Sequence, residues 1–482
     1  MVIPLTLAEV AAATGGRLLE ADGTVVAGAV VVDSRAARSG ALFVALPGSR
    51  ADGSHFAAQA LEAGAVAVLA RPGAVAAGPR IEVHDPLAAL GALGAAVRAR
   101  SSAHVVGVTG STGKTTTKDL LAAVLATRLA TVANTASFNN EVGLPLTLTR
   151  LDPGTQALVV EMGARGPGHI AALARLARPE IGVVLNVGIA HLGMFGTQAA
   201  IAAAKGELVE ALPAHGTAVL NADDPLVAAM AGRTAARVLQ FGLGPGAEVR
   251  AEGIALDGDG RAHFKLRTPA GGAETCLPVP GEHLVPDALA AAAAAHALGL
   301  EPEGIAAGLR EAALSPMRMQ VERRADGLTV INDAYNANPT SMAAALKALV
   351  AARRGGRAVA VLGEMAELGE HAAAEHDRAG RLAARLGVDR LVGVGELGEL
   401  IVRAARMEGM RPGEAVPAAD ATAAVAALEP WLQPADVVLV KASRVVALDQ
   451  VAERLLRGPE GPREPRRGAP GRRPAGPDER GS

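Results

Sequence analysis

Residues 109–116, TGSTGKTT, follow directly on the apolar run HVVGV (104–108). A glycine-rich turn between a strand and a helix has the makings of a phosphate grip. Gly110 and Gly113 let backbone N–H groups approach phosphate oxygens, and the helix N-terminus adds partial positive charge. Lys114 can reach the β- and γ-phosphates, and Thr115 offers a hydroxyl to a magnesium ion. Thr109, Ser111, Thr112 and Thr116 complete the polar loop. The strict pattern G-x-x-x-x-G-K-[ST] would need glycine at 108, where this chain has Val108. The glycines are spaced in threes instead, at 107, 110 and 113.

Other apolar runs also end on reactive groups. ALVV (157–160) runs into Glu161, IGVVL (181–185) into Asn186 and then His191, and TAVL (217–220) into Asn221, Asp223 and Asp224. Ligands of open α/β sheets bind beyond the carboxyl ends of the strands, so these ends form a natural site. HAAAEH (371–376) is one residue too long for a zinc-helix motif and reads as a solvated helix face.

The elements that must carry these groups fall into three blocks. Residues 1–97 hold short apolar runs, GAVVV (28–32), ALFVAL (41–46) and AVAVLA (65–70), around one helical stretch. From 98 to 312 strands and helices alternate, the pattern of a mostly parallel, doubly wound sheet. A third α/β block, 313–457, contributes LTVI (328–331), AVAVL (358–362), LVGV (391–394) and DVVLV (436–440). From Gly458 to Ser482 glycine and proline make up about half the residues and no apolar face exists, so a disordered tail is expected.

Composition narrows the classes. At 482 residues the chain is long enough for two or three domains, and half its residues are hydrophobic. A net charge of −2 gives no reason to expect a nucleic-acid partner. A single cysteine excludes an internal disulfide and suits a reducing, cytoplasmic setting. MVIPLTLAEV lacks a basic leader region, so no signal peptide is expected. ALAAAAAAHALGL (288–300) falls short of the ~20 residues a membrane span requires, so no membrane insertion is expected.

With these residues in place, the chain resembles the Mur ligases, whose ATP loop has the same G-x-x-G-x-x-G-K-T spacing. NTASFNNEVGLPLT (134–147), EMGA (161–164), NVGIAHLGMFG (186–196), AAKGEL (203–208), NDAYNANPTS (332–341), LGEMAELG (362–369) and VKASR (440–444) extend the resemblance over about residues 1–457. They point to the branch that adds D-alanyl-D-alanine to UDP-N-acetylmuramoyl-tripeptide. The N-terminal DSR (33–35), GALFVALPG (40–48) and DGSHF (52–56) agree. The resemblance implies a three-domain α/β architecture: a UDP-muramoyl-peptide-binding domain, a central P-loop domain and a Rossmann-like C-terminal domain. ATP and Mg2+ are the implied cofactors, and a monomer is the implied state.

Residue by residue, it implies that Lys114 holds the ATP phosphates and that Thr115, Glu161 and His191 face magnesium. Lys205 lies where the family carries a carbamylated lysine, and Arg318 matches an arginine reaching the phosphates from the third block. His283, Asp333, Tyr335, Asn336 and Asn338 match nucleotide-facing positions. Ser34 and Arg35 resemble contacts to the UDP-sugar, Asn139 and Asn140 contacts to the muramoyl peptide, and Lys441, Ser443 and Arg444 further substrate contacts. Some positions depart from the family. The G-x-H-N-x-x-N run near the adenine appears as GEHLVPDAL, with Leu284 and Asp287 at the asparagine positions. Met194 stands where a glutamate is common, and Ala442 replaces a glycine. The alternatives are a sister carboxylate–amine ligase (another Mur step, or one like folylpolyglutamate synthase) and a nucleotide-binding regulatory protein without catalysis.

Overall fold

A computed structural model gives the fold and describes residues 2–21, 23–48, 51–135, 137–188 and 195–458. His191, Met194 and the tail 459–482 lie outside the described residues.

The first block forms a five-stranded sheet in the order Arg17–Leu19, Arg80–Glu82, Ala65–Ala70, Ala41–Val44, Val30–Val31. The helix Pro86–Ala99, capped by Asp85, leads out of it. One hydrophobic core joins this block to the next. Leu42, Val44 and Leu69 of the first sheet pack in the same cluster as Leu158 and Val160 of the second sheet and Leu144 and Leu148 of the helix Gly143–Leu148.

The central sheet has nine strands, in the order Gly271–Pro280, Arg261–Thr268, Val249–Leu256, Arg237–Gly242, Thr217–Asn221, Ile181–Val184, His104–Thr109, Ala157–Glu161, Thr131–Ala133. The chain enters at His104–Thr109, runs to the edge strand Thr131–Ala133, returns to insert Ala157–Glu161 between the two, then crosses over to build the other side. His104–Thr109 is therefore the strand at which the order reverses, where such sheets leave a crevice for ligand. The three strands from Val249 to Pro280 are joined antiparallel, as hairpins.

The alanine run forms the helix Val285–Ala297, and Ala288–Ala295 are completely buried. A helix apolar on every side belongs inside a protein. Its small side chains let it lie close to the helix Lys114–Ala126. Gly308 extends the same close packing, since a Cβ there would lie 2.5 Å from Cα of Val124.

The third block is a six-stranded sheet in the order Gln320–Arg323, Thr329–Asn332, Val437–Lys441, Ala358–Leu362, Arg390–Val394, Ala415–Ala418, parallel but for the first strand. It has a core on each face. Two polar clasps tie it to the central block. Ser315 donates from its N–H and hydroxyl to Asp119, at 2.7 and 3.1 Å. Asp259, on a hairpin turn of the central sheet, pairs with Arg354 and lies 3.7 Å from Arg323 of the third block.

HAAAEH differs from the expected solvated face. His376 is fully buried: its Nε2 accepts from the Met365 N–H at 2.8 Å, and its Nδ1 faces the Ala372 carbonyl at 2.6 Å. Burial lowers its pKa, and the ring serves as a neutral packing bridge. No group of three metal-ligating side chains exists among the described residues.

Candidate active site

A cavity of about 580 Å3 opens between the carboxyl end of the central sheet and the third domain. The strand His104–Thr109 delivers its loop to the cavity floor. Gly113 sits at φ +81°, a conformation that favours glycine, and starts the helix Lys114–Ala126. Asn186, at the end of the neighbouring strand, fixes the loop: its Oδ1 accepts from the N–H groups of Ser111 and Thr112, both at 3.0 Å. Lys114 folds over the loop and donates to the Gly110 carbonyl at 2.8 Å. Burial lowers its pKa, partly opposed by Glu161.

Thr115 and Glu161 meet because their strands are in register. Glu161 lies level with Val108, one strand over, so its carboxylate projects beside the first turn of the helix. Thr115 donates to Glu161 Oε2 at 2.9 Å, and Asn139 donates to Oε1 at 2.6 Å. Asn134 holds the Glu161 backbone N–H at 2.7 Å. Lys118, buried, donates to the Asn134 carbonyl at 2.9 Å. Lys205, on the helix Gln198–Glu210, lines the same cavity and is 6% exposed. Burial, reinforced by Lys114, holds its pKa well below that of a free lysine.

The third domain supplies the opposite wall. Arg318 reaches across and donates to the hydroxyls of Thr115 and Ser137, each at 3.3 Å. Its guanidinium lies 4.2 Å from the ring centre of Tyr335, a cation–π contact. Met317 and Met319, on either side, have φ of +59° and +47°. Non-glycine residues in this region cost on the order of 1–3 kcal/mol each and persist only where surrounding contacts hold them. Asp333 supplies one such contact by accepting from the Met319 N–H at 3.1 Å. Lys441 in turn donates to Asp333 at 2.5 Å and to the Asn336 carbonyl at 3.0 Å. The pair follows from register: Asn332 lies opposite Val440 on adjacent parallel strands, so the next residue of each strand meets the other.

The remaining candidates divide. Gly110, Ser111, Thr112, Gly113, Thr116, Asn139, Asn140, His283, Asn336 and Asn338 all line the cavity. Asn338 also caps the helix Pro339–Ala351. Thr109 is buried behind the loop and bonds the Met162 carbonyl at 2.9 Å. Ser443 is buried and accepts from the Ala366 N–H at 2.9 Å, while Arg444 pairs with Asp449 at 2.6 Å; neither lines the cavity. Ser34 and Arg35 lie in the first domain, away from the cavity lining. Ser34 donates to Gln59 at 2.8 Å, and Arg35 is exposed and paired with Asp33. Asn134, Lys118 and Ser137 were not among the candidates, and Asn186 was noted only as a polar strand end. Asn134 and Asn186 share one sequence signal, a polar residue just past an apolar run.

The chain matches known proteins over most of its length. The family model described as Mur ligase middle domain matches residues 108–295, that of the Mur ligase glutamate ligase domain 317–444, and that of the Mur ligase family catalytic domain 28–132. The chain is 48% identical to the UDP-N-acetylmuramoyl-tripeptide–D-alanyl-D-alanine ligase of Mycobacterium tuberculosis H37Rv, covering 94% of this chain and 98% of that one. A crystal structure of MurF from Acinetobacter baumannii superposes with a TM-score of 0.85 at 32% identity, over 95% of this chain and 99% of that one. MurF ligase from Thermotoga maritima in complex with ADP gives 0.76 at 29% identity, over 89% and 97%.

Proposed function

The chain belongs to the Mur ligase family, and from that premise we propose that it joins D-alanyl-D-alanine to UDP-N-acetylmuramoyl-tripeptide at the expense of ATP. The observation that carries this reading is Arg318, an arginine of the third domain whose guanidinium reaches the Thr115 hydroxyl on the phosphate loop. The tripeptide carboxylate attacks the γ-phosphorus of ATP, ADP leaves, and an acyl phosphate results. The amine of D-alanyl-D-alanine then attacks the acyl carbon, giving the amide, inorganic phosphate and a proton.

The obstacle to the first step is charge. Two like charges ~4 Å apart repel by about 4 kcal/mol at an effective dielectric near 20. Lys114 and Arg318 approach one point from two domains and would offset that repulsion, as preorganised cations do at phosphoryl-transfer sites. Thr115 and Glu161 present hard oxygen donors 2.9 Å apart, a set that suits magnesium. Magnesium bound there would neutralise phosphate charge. Lys205, enclosed and without an acidic partner among the described residues, is held towards the neutral amine. A neutral amine can add CO2, releasing a proton and forming a carbamate whose negative charge would face Lys114. Asn139, Asn140, Ser34 and Arg35 are assigned to the UDP-muramoyl peptide. The cytoplasm is the proposed location; no helix among the described residues is long and apolar enough to cross a membrane.

Phosphate release tests the reading. Release that requires ATP, the tripeptide substrate and D-alanyl-D-alanine together is the expected result. Equal release with either acceptor omitted, or none with all three present, refutes it.

A further inference from the structure

Asp287 is an unusual wall for a phosphate site. It lies in the first turn of the helix Val285–Ala297, lines the cavity and is 8% exposed. Its carboxyl group is pressed against the phosphate loop: a Cβ built on Gly113 would lie 2.2 Å from Asp287 Oδ1. Gly113 is the residue that turns the loop into its helix.

The lysines and the arginine nearest Asp287 are otherwise engaged. On the loop helix, Lys114 donates to Gly110, and Lys118 pairs with Asp119 at 2.6 Å. In the preceding turn, His283 lines the cavity, and Glu282 beside it is exposed. Across the cleft, Arg318 holds Thr115 and Ser137. Among the described residues no cation forms an ion pair with Asp287. A helix N-terminus favours an ionised carboxylate, yet burial prevails and raises the Asp287 pKa to about 8, with the Thr117 hydroxyl opposing only in part.

We propose that Asp287 is a nucleotide-positioning residue that works as the neutral acid, its carboxyl group braced against Gly113, and that its ionisation weakens nucleotide binding. The proposal rests on the reading of this cavity as the nucleotide site. As a neutral acid the group both donates and accepts, as a side-chain amide does. As a carboxylate it can only accept, and it places a negative charge beside a loop built to receive phosphate. The sign follows directly. The neutral form predominates below pH 8, so binding is strong there and declines as pH rises through that value.

The test is ADP binding with magnesium, measured by calorimetry at about pH 7 and about pH 9, for the wild type and for Asp287→Asn. If only the neutral acid binds, wild-type affinity falls about tenfold over that interval, because apparent affinity scales with the competent fraction. Asp287→Asn keeps the shape without the titration, so it shows at least fivefold less of that fall. Any loss of charge from Lys114 at high pH is common to both proteins and cancels in the comparison. Equal slopes in the two proteins overturn the proposal. Should the variant fail to fold, infrared difference spectra of the wild type decide: a protonated carboxyl band that disappears between pH 7 and 9 is expected, and its absence overturns the proposal. ADP that binds the wild type at neither pH overturns the nucleotide-site reading itself, and this proposal with it.

Discussion

Replacing Lys441 with methionine would remove the charge at the base of the third domain's wall while keeping most of the side-chain volume. Lys441 is 1% exposed and Asp333 8%. Their contact at 2.5 Å is accompanied by the Lys441 bond to the Asn336 carbonyl and by the Met319 N–H on Asp333. Breaking a buried pair by removing one partner costs about 3–5 kcal/mol, because the other charge is left buried without compensation. The third domain should lose that much stability, more than a hundredfold in its folding equilibrium. Trp431, the only tryptophan, packs partly buried against this domain's core and makes its fluorescence a local reporter of denaturant unfolding. The double variant Asp333→Asn/Lys441→Met removes both charges and should recover a substantial part of the loss. Activity should fall in the single variant as well, since Asp333 restrains the strained backbone that presents Arg318. A single variant destabilised by less than about 1 kcal/mol, or a double variant no more stable than the single, would refute the argument.

Two further outcomes are expected. Lys114→Ala should lower the rate of phosphate release by at least ~10²-fold, the scale set by loss of one preorganised electrostatic partner; turnover like the wild type would remove its assigned role. Incubation with 13C-bicarbonate should give a carbamate carbonyl resonance in the wild type that Lys205→Arg lacks, and an identical spectrum in both proteins would end the carbamate assignment.

Much of the fold could be read from sequence because its central strands are short β-branched runs buried on both faces. AVAVLA and AVAVL coincide with the strands Ala65–Ala70 and Ala358–Leu362. The antiparallel hairpins from Val249 to Pro280 went unread, although RAHFKLRT alternates inward Ala262, Phe264, Leu266 and Thr268 with outward Arg, His and Lys. A period-2 pattern that includes alanine and threonine is weak beside runs of valine. In the site, the phosphate loop was legible because its residues are contiguous. The polar supports were not. Asn134 and Lys118 act through each other's backbone and side chain across 16 residues, and only folding brings them together. Lys441 was legible only as an implied substrate contact; register with Thr329–Asn332 is what buries it.

The core that merges the first two domains has a mechanical meaning. Leu42 and Leu158 cannot part without opening apolar surface to water, so these domains are constrained to travel together. Any swing would fall to the third, through the stretch between the helix Pro302–Arg310 and the strand Gln320–Arg323. A long substrate anchored on one merged domain and activated on the other would be gauged against a rigid ruler.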